Sequence, residues 1–186
     1  MSVAEPTRAV PSDAPTHAHR RRWAGKQKER YDTSSDGSGG GELHLDDLTS
    51  CLVDLRALPA SLAVQVRSAR RSILLLGDVQ GSVMFHSCYH CLVVLSSARQ
   101  LRIHDTIDTT FAANVTSKIS IEGCRALRFA GDKSQVQDFD HVLSGLTASE
   151  SNPNWTRIGQ EEVTKLVQRV DTDWQAAVME LEGEET

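Results

Sequence analysis

The segment 98–104 carries the residues best suited to chemistry in this chain of 186 residues. It reads Ala-Arg-Gln-Leu-Arg-Ile-His, so polar and apolar residues alternate in it. Because the side chains of a strand alternate between its two faces, we expect Leu101 and Ile103 to point inward together. The outward row, with roughly 6–7 Å between neighbours, would consist of Gln100, Arg102 and His104. The planar fork of an arginine matches phosphate oxygens, but outward positions of a strand are polar in any case, so the row alone leaves open a phosphate-contacting arginine and a solvated face.

A second candidate for chemistry is the pair Cys88 and Cys91, which is flanked by His86 and His90. Cysteine and histidine at this spacing suit zinc, but a structural zinc site needs a second pair of ligands. The two other cysteines of the chain are single and distant in sequence. We therefore expect no metal site and interpret the pair as small residues at a corner of a solenoid turn. Motifs for a nucleotide-binding loop or a Ser-His-Asp triad are also missing, which disfavours a self-contained enzyme.

Short apolar alternations begin near residue 43 and recur at intervals of roughly nine to eleven residues, which is typical of strands. The alternating positions are Leu43/Leu45, Cys51/Val53/Leu55, Leu62/Val64/Val66, Ile73/Leu75, Val83/Phe85, Leu92/Val94, Leu101/Ile103, Thr109/Phe111, Ile119/Ile121 and Leu127/Phe129. Hairpin dipeptides are scarce between them, and the connections are too short for helical crossovers. The pattern favours a solenoid of parallel strands, and a β-sandwich is the alternative that periodicity alone leaves open.

The N-terminal segment 1–41 has the composition of a disordered basic tail that ends in a Gly/Ser linker. It carries seven basic and five acidic residues, so its net charge is +2, and the remainder carries −7. An acidic body disfavours nucleic acid as a partner. The basic patch at 20–30 could contact acidic surfaces or RNA, or act as a localisation signal, although a solvated tail is the simplest interpretation.

Near the C-terminus the pattern changes to helical spacing, and it predicts an amphipathic helix and acidic tail within residues 157–186. The apolar face would consist of Val163, Leu166, Val167, Val170, Trp174, Ala177, Val178 and Leu181. We expect this helix to pack on its own domain, with the open end of the solenoid as its place. A helix that binds a partner is the alternative.

The chain has no run of about 18 apolar residues that would span a membrane. It also begins without an apolar signal region and without glycine at position two. We therefore expect a cytoplasmic protein with no integral membrane association, whose cysteines are reduced.

Several landmarks, in their order along the chain, resemble the tubulin-binding cofactor C family in the pattern of its fungal members. The matching segments are Ser72–Val83, Ala98–His104, Ile121–Cys124, Leu127–Ala130, Val136–Phe139 and Asn152–Trp155. The resemblance implies an all-β fold, a right-handed parallel β-helix over residues 42–156. The chain departs from the family at Arg99, where many members have the first of two glutamines, and its segment 131–136 is short. Residues 1–41 also show no heptad pattern of the kind that the family's helical N-terminal domain would carry.

The resemblance also implies a function, because family members offer an arginine finger to a GTPase from an exposed face of the β-helix. Arg102 would be that finger, and Gln100 would hold it or order the attacking water. The residues that would contact the partner are Arg99, His104, Asp138 and Phe139. The chain would need no cofactor of its own, since GTP and magnesium belong to the partner GTPase.

The partner that the resemblance implies is β-tubulin, together with the tubulin-folding cofactors D and E. Stimulated GTP hydrolysis would promote release of the folded tubulin heterodimer, in the cytoplasm and at the cytoskeleton. Three alternatives stay open at this point: a GTPase-activating protein for an Arf-like small GTPase, a non-catalytic binding module, and a degenerate paralogue without activity.

Overall fold

The computed structural model describes residues 20–32, 41–130, 135–141 and 152–182. The strands in these ranges all pair in parallel and wind into a β-helix of about six turns. Their bounds are β1 Arg20–Gln27, β2 Arg30–Asp32, β3 Glu42–Thr49, β4 Leu52–Asp54, β5 Ala63–Arg67, β6 Ile73–His86, β7 Leu92–His104, β8 Thr110–Val115, β9 Ile119–Glu122, β10 Leu127–Ala130, β11 Val136–Asp138 and β12 Trp155–Ile158. The predicted parallel β-helix is thus confirmed, and the β-sandwich alternative is wrong.

Two sheets form the main walls of this β-helix. The first sheet contains β1, β3, β5, the C-terminal halves of β6 and β7, then β9 and β11. The second sheet contains β2, β4, the N-terminal halves of β6 and β7, then β8, β10 and β12. The strands β6 and β7 are long because each runs through the second sheet, bends and continues in the first. Inward side chains of both sheets meet in one apolar core.

The corner between the first and second sheets repeats in every turn. Two residues three positions apart have positive φ angles there, in the pairs Gly25/Lys28, Asp47/Ser50, Ser68/Arg71, Ser87/His90, Asp105/Asp108 and Gly123/Ala126. Left-handed backbone is unfavourable for most of these residue types, so neighbouring turns must hold it in place. Backbone hydrogen bonds between successive corners do so, as from the Arg71 amide to the Tyr89 carbonyl at 2.9 Å.

An aromatic ladder fills the C-terminal part of the core. The ring of Phe111 lies 5.2 Å from that of Phe85 and 5.6 Å from that of Phe129, measured between centroids. Phe129 in turn contacts Trp155 edge to face at 5.9 Å. Because each ring belongs to a different turn, the ladder ties successive turns together, and such aromatic contacts add to the free energy gained from burial alone.

The C-terminal region forms two helices, α1 Gln160–Thr172 and α2 Trp174–Glu182, where the sequence predicted one. The break lies at Asp173, whose carboxylate accepts a hydrogen bond from the Ala176 amide at 3.1 Å and so caps the start of α2. The described residues include no helix that is both long enough and apolar enough to cross a membrane.

The helices cover the outer face of the second sheet. The prediction that they would lie at the open end of the β-helix is therefore wrong. The sheet residues beneath them are Leu52, Ile73, Leu75 and Leu92, and the helices bury Val170, Ala177 and Val178 against them. Strands that are apolar on both faces need such a cover, because their outer residues would otherwise lie in water. An ion pair fixes the helices at one side, since Arg56 lies 2.7 Å from both Asp54 and Asp171.

The predicted disorder of the N-terminal segment is wrong for residues 20–32. These residues form β1 and β2, which pair with β3 and β4. Trp23 and Tyr31 contact each other with their rings tilted by 36° and their centroids 4.8 Å apart, and both pack against the core. The many charged residues of this segment made its composition resemble a disordered tail. The two aromatic residues nevertheless supply the apolar surface that allows it to pack. The remainder of the predicted tail and linker (1–19 and 33–40), most of the short segment (131–134) and the predicted acidic tail (183–186) lie outside the described residues.

Candidate functional site

The predicted alternation of faces in segment 98–104 is confirmed. Leu101 and Ile103 are fully buried in the core. Arg102 is exposed, and Gln100 and His104 are partly exposed on the same outer face of the first sheet. Since β7 pairs with β6 on one side and β9 on the other, the backbone beneath Arg102 is held in the interior of a sheet. The guanidinium is therefore presented from a rigid support.

Gln100 contacts the guanidinium of Arg102 along one edge. The Gln100 amide oxygen, turned toward Arg102, accepts hydrogen bonds from Nη2 at 3.1 Å and from Nε at 3.2 Å. This amide orientation is favoured because the opposite one would bring NH₂ donors against guanidinium donors. The contact orients the fork through Nη2 and Nε and does not involve Nη1.

Among the residues that the structure describes, Arg102 differs from several other arginines in having no acidic partner. Carboxylates neutralise those arginines in the pairs Arg22–Asp46, Arg56–Asp54 and Arg128–Asp108. Within the described residues Arg102 makes no ion pair, and the residues in register with it on β6 and β9 are Met84 and Ser120. Its positive charge is thus available to an anionic group of another molecule.

His104 lies beside a carboxylate that the sequence reasoning missed. Its Nδ1 is 3.3 Å from Oε2 of Glu122, which is in register with it on β9. A signal existed in the sequence, because His86, His104 and Glu122 follow each other at the same interval of 18 residues. That interval is also the spacing of the last three corners, so it would have revealed which residues share a column.

Asp138, for which the sequence analysis predicted a partner contact, has an inward side chain. It is buried, and its Oδ2 accepts hydrogen bonds from the side-chain amides of Asn152 at 3.0 Å and Asn154 at 2.9 Å. Its Oδ1 accepts another from the Asp140 amide at 3.0 Å. The role of Asp138 toward a partner stays a prediction, and strand parity turns its side chain inward in register with Ile121. Its carboxylate holds the loop before β12 against β11.

Phe139, the next residue, is on the outer side and 50% exposed. Its amide donates to the Ile121 carbonyl at 3.0 Å, which continues the pairing of β11 with β9 and places Phe139 opposite Glu122. Two strand spacings separate it from β7, or about 10 Å. We use the name arginine face for the outer surface formed by Gln100, Arg102, His104, Glu122 and Phe139.

Arg99 lies on the same strand and is exposed, at the bend where β7 enters the first sheet. The Arg99 carbonyl accepts hydrogen bonds from the Ser117 amide at 3.2 Å and the Thr116 hydroxyl at 3.1 Å. These bonds fix its backbone, so its role toward a partner stays a prediction.

A shallow depression of about 200 Å³ adjoins the arginine face. The residues that line it include Glu42, Ala63, Ser82 and Met84. Ser82 and Met84 are in register with Gln100 and Arg102 on the next strand, so the depression begins directly beside the guanidinium.

The cysteine pair occupies the repeating corner, as the sequence analysis expected. Cys88 and Cys91 are fully buried, and the equivalent residues of the next turn are Thr106 and Thr109. The backbone amides of the two cysteines each donate to the hydroxyl of the equivalent threonine at 3.4 Å. The described part of the chain contains no cluster of three or more His, Cys, Asp or Glu residues suited to a metal ion.

Burial makes these thiols poor nucleophiles. Desolvation raises the pKa of Cys88 to about 11 and raises the pKa of Cys91 as well. At about pH 8, where a free cysteine is partly ionised, we expect Ellman's reagent to leave the four buried thiols of the folded protein unreacted for hours. Unfolding in urea should release all four within minutes. Rapid reaction of Cys88 in the folded protein, identified by peptide mapping, would contradict this expectation.

Comparison with known proteins gives the arginine face its context. The family described as "Tubulin binding cofactor C" matches residues 40–160, which contain the whole arginine face. "Tubulin-specific chaperone C" of Mus musculus is 33% identical over 144 residues, and that of Homo sapiens is 31% identical over 144 residues. Each alignment covers 65% of this chain and 41% of the relative.

A plant relative aligns over more of the chain. "Tubulin-folding cofactor C" of Arabidopsis thaliana is 29% identical over 143 residues, covering 77% of this chain and 41% of the relative. The chain thus spans about two fifths of the length of these three relatives, at 41% in each case. Since the family match extends over well more than half of its residues, the chain belongs to the tubulin binding cofactor C family.

Proposed function

We propose that this chain takes part in tubulin folding by stimulating GTP hydrolysis on β-tubulin, with Arg102 as an arginine finger. The observation that carries the proposal is the state of Arg102, which is exposed on an interior strand and has no acidic partner among the described residues. Tubulin as the partner is supported by the relatives, whose names are tubulin-specific chaperone C and tubulin-folding cofactor C.

Stimulation of GTP hydrolysis requires little from this chain beyond a correctly placed arginine. In GTP hydrolysis a water molecule attacks the γ-phosphorus and the bond to the β–γ bridging oxygen breaks, so charge builds up on the phosphoryl oxygens. A guanidinium placed against these oxygens stabilises the transition state, and an arginine supplied in trans accelerates hydrolysis by roughly 10³–10⁵. The GTPase supplies the nucleotide, Mg²⁺ and the attacking water, and this chain adds the missing positive charge.

Gln100 contributes by limiting the positions that the guanidinium can adopt. Its two hydrogen bonds to Nη2 and Nε hold the fork against the strand before the partner arrives. A side chain that is already ordered loses less conformational entropy when it inserts, so more of the contact energy goes to the transition state. Gln100 is thus a positioning residue in this proposal.

The outer surface around Arg102 offers the features that a docked GTPase would contact. Phe139 provides a half-exposed aromatic ring, and the depression beside Met84 provides room for a loop. His104 and Glu122 form a polar pair between them. In the cell the tubulin-folding cofactors D and E would hold tubulin against this surface, and hydrolysis would promote release of the folded heterodimer.

A paired GTPase assay tests the proposal. Single-turnover hydrolysis is measured with tubulin and cofactors D and E, with and without this chain, and in parallel with an Arf-like small GTPase. We expect faster hydrolysis in the tubulin mixture and an unchanged rate for the Arf-like protein. Stimulation of the Arf-like protein alone would overturn the assignment of tubulin. No stimulation of either GTPase would overturn the catalytic role and leave a binding module or an inactive paralogue.

A further inference from the structure

The first turn of the β-helix precedes the region that defines the family, and nothing in the proposed function uses it. Residues 20–32 form β1 and β2, whereas the family match begins at residue 40. The eight residues of β1 pair with β3 over seven positions, from Arg20–Glu42 to Gln27–Thr49. Trp23 and Tyr31 of this turn contact each other and pack against the apolar core. The first turn is therefore an integral part of the folded β-helix.

The strand β1 is an edge of the sheet. In the strand order of the described residues β1 stands at one end, with β3 as its neighbour on one side. Alternate residues of a parallel strand direct both their N–H and C=O groups to the same side, so half of the backbone groups of β1 face away from β3. Such an edge is a template on which another extended chain forms a strand.

The charge of this turn is opposite to that of the rest of the molecule. Residues 20–32 carry six basic and two acidic residues, for a net charge of +4, while the rest of the chain carries −9. Two of these basic residues also make ion pairs within the chain, Arg22 with Asp46 and Lys26 with Glu29. A positive strand edge at one end of an acidic protein attracts an acidic chain and repels a basic one.

The same charges argue against two other occupants. A second copy docked edge to edge would bring two turns of +4 together, and basic residues on an edge strand are a common protection against self-pairing. A nucleic acid would satisfy the charges but has no amide backbone to pair with the strand. The observations therefore favour a polypeptide.

We propose that the β1 edge binds an extended acidic peptide segment of a partner protein, which adds to the first sheet as a further strand. The strand supplies backbone hydrogen bonds, and the basic residues of the turn supply charge complementarity. This surface lies on the first turn, whereas Arg102 lies on a later one, so the two sites can be occupied together.

Fluorescence anisotropy with two labelled peptides of equal charge tests this proposal on the full chain. One peptide alternates Glu and Thr, and the other alternates Glu and Pro, which lacks the N–H groups that a strand needs. We expect the Glu/Thr peptide to bind at least about tenfold more tightly, a difference of about 1.4 kcal/mol. Equal binding of both peptides would show that the peptides bind through nonspecific charge attraction, and it would overturn the proposal of strand addition.

Two variants of equal charge locate the site. Lys26→Gln with Lys28→Gln removes two charges from the first turn, and Lys118→Gln with Arg125→Gln removes two exposed charges elsewhere. The first variant should weaken binding of the Glu/Thr peptide several-fold, and the second and Arg102→Ala should leave it unchanged. Equal weakening by both pairs would overturn the location. Tighter binding of single-stranded poly(U), or a dimer in sedimentation that the peptide does not dissociate, would assign the edge to RNA or to a second copy instead.

Discussion

Replacing Arg102 with alanine is expected to abolish the stimulation of GTP hydrolysis while the fold stays intact. The loss should be roughly 10³–10⁵-fold in the single-turnover rate, which corresponds to about 4–7 kcal/mol of transition-state stabilisation. The physical reason is that no other cation lies in register beside Arg102, whose neighbours are Met84 and Ser120. Because the side chain is exposed and makes no ion pair in the described residues, its removal should leave the urea midpoint nearly unchanged.

Two further variants separate the role of the fork from that of charge. Arg102→Lys keeps the positive charge but loses the planar donor geometry, so we expect it to recover only a small part of the rate. Arg125→Ala removes an exposed arginine from a corner of the β-helix and should retain full stimulation. If Arg102→Ala stimulated hydrolysis as well as the natural sequence, the arginine-finger proposal would be wrong.

Replacing Phe111 with alanine should cause a large loss of stability. Phe111 is fully buried at the centre of the aromatic ladder, between Phe85 and Phe129. Truncation removes its own burial, leaves a cavity and breaks two ring contacts, so we expect a loss of about 3–5 kcal/mol in the free energy of unfolding. Urea unfolding followed by circular dichroism measures it.

Phe139→Ala is the matched control for this prediction. It makes the same chemical change at a residue that is 50% exposed and outside the ladder, so we expect it to cost about 1 kcal/mol or less. Similar losses for both variants would contradict the view that the ladder ties successive turns together. A drop in GTPase stimulation by Phe139→Ala without loss of stability would add support for a partner contact at the arginine face.

Local alternation accounts for the part of the site that the sequence could predict. Gln100, Arg102 and His104 face outward because parity along a strand depends only on neighbouring residues. Asp138 was named from a family landmark and not from alternation, and the register of β11 turns its side chain into the core. The hydrogen bonds from Asn152 and Asn154 that occupy its carboxylate come from a distant segment and leave no local signal.

The corner repeat shows a signal that was present but not used. Cys88 and Cys91 resemble a metal motif when they are considered alone. Their equivalents in the next turn are Thr106 and Thr109, at an interval of 18 residues. Comparison of turns at that interval identifies both cysteines as buried corner residues, and the same interval aligns Met84, Arg102 and Ser120.

By itself the sequence of this chain determined the strand content, the inward and outward faces of β7, the helical character near the C-terminus and, through ordered landmarks, the family. These features depend on spacing between near neighbours or on motifs that stay together. The tertiary structure alone decided that the helices cover the second sheet, that residues 20–32 form a first turn, and that Asp138 is buried. Each of these outcomes depends on which distant surfaces bury apolar area against each other, and that free energy exists only once the chain has folded.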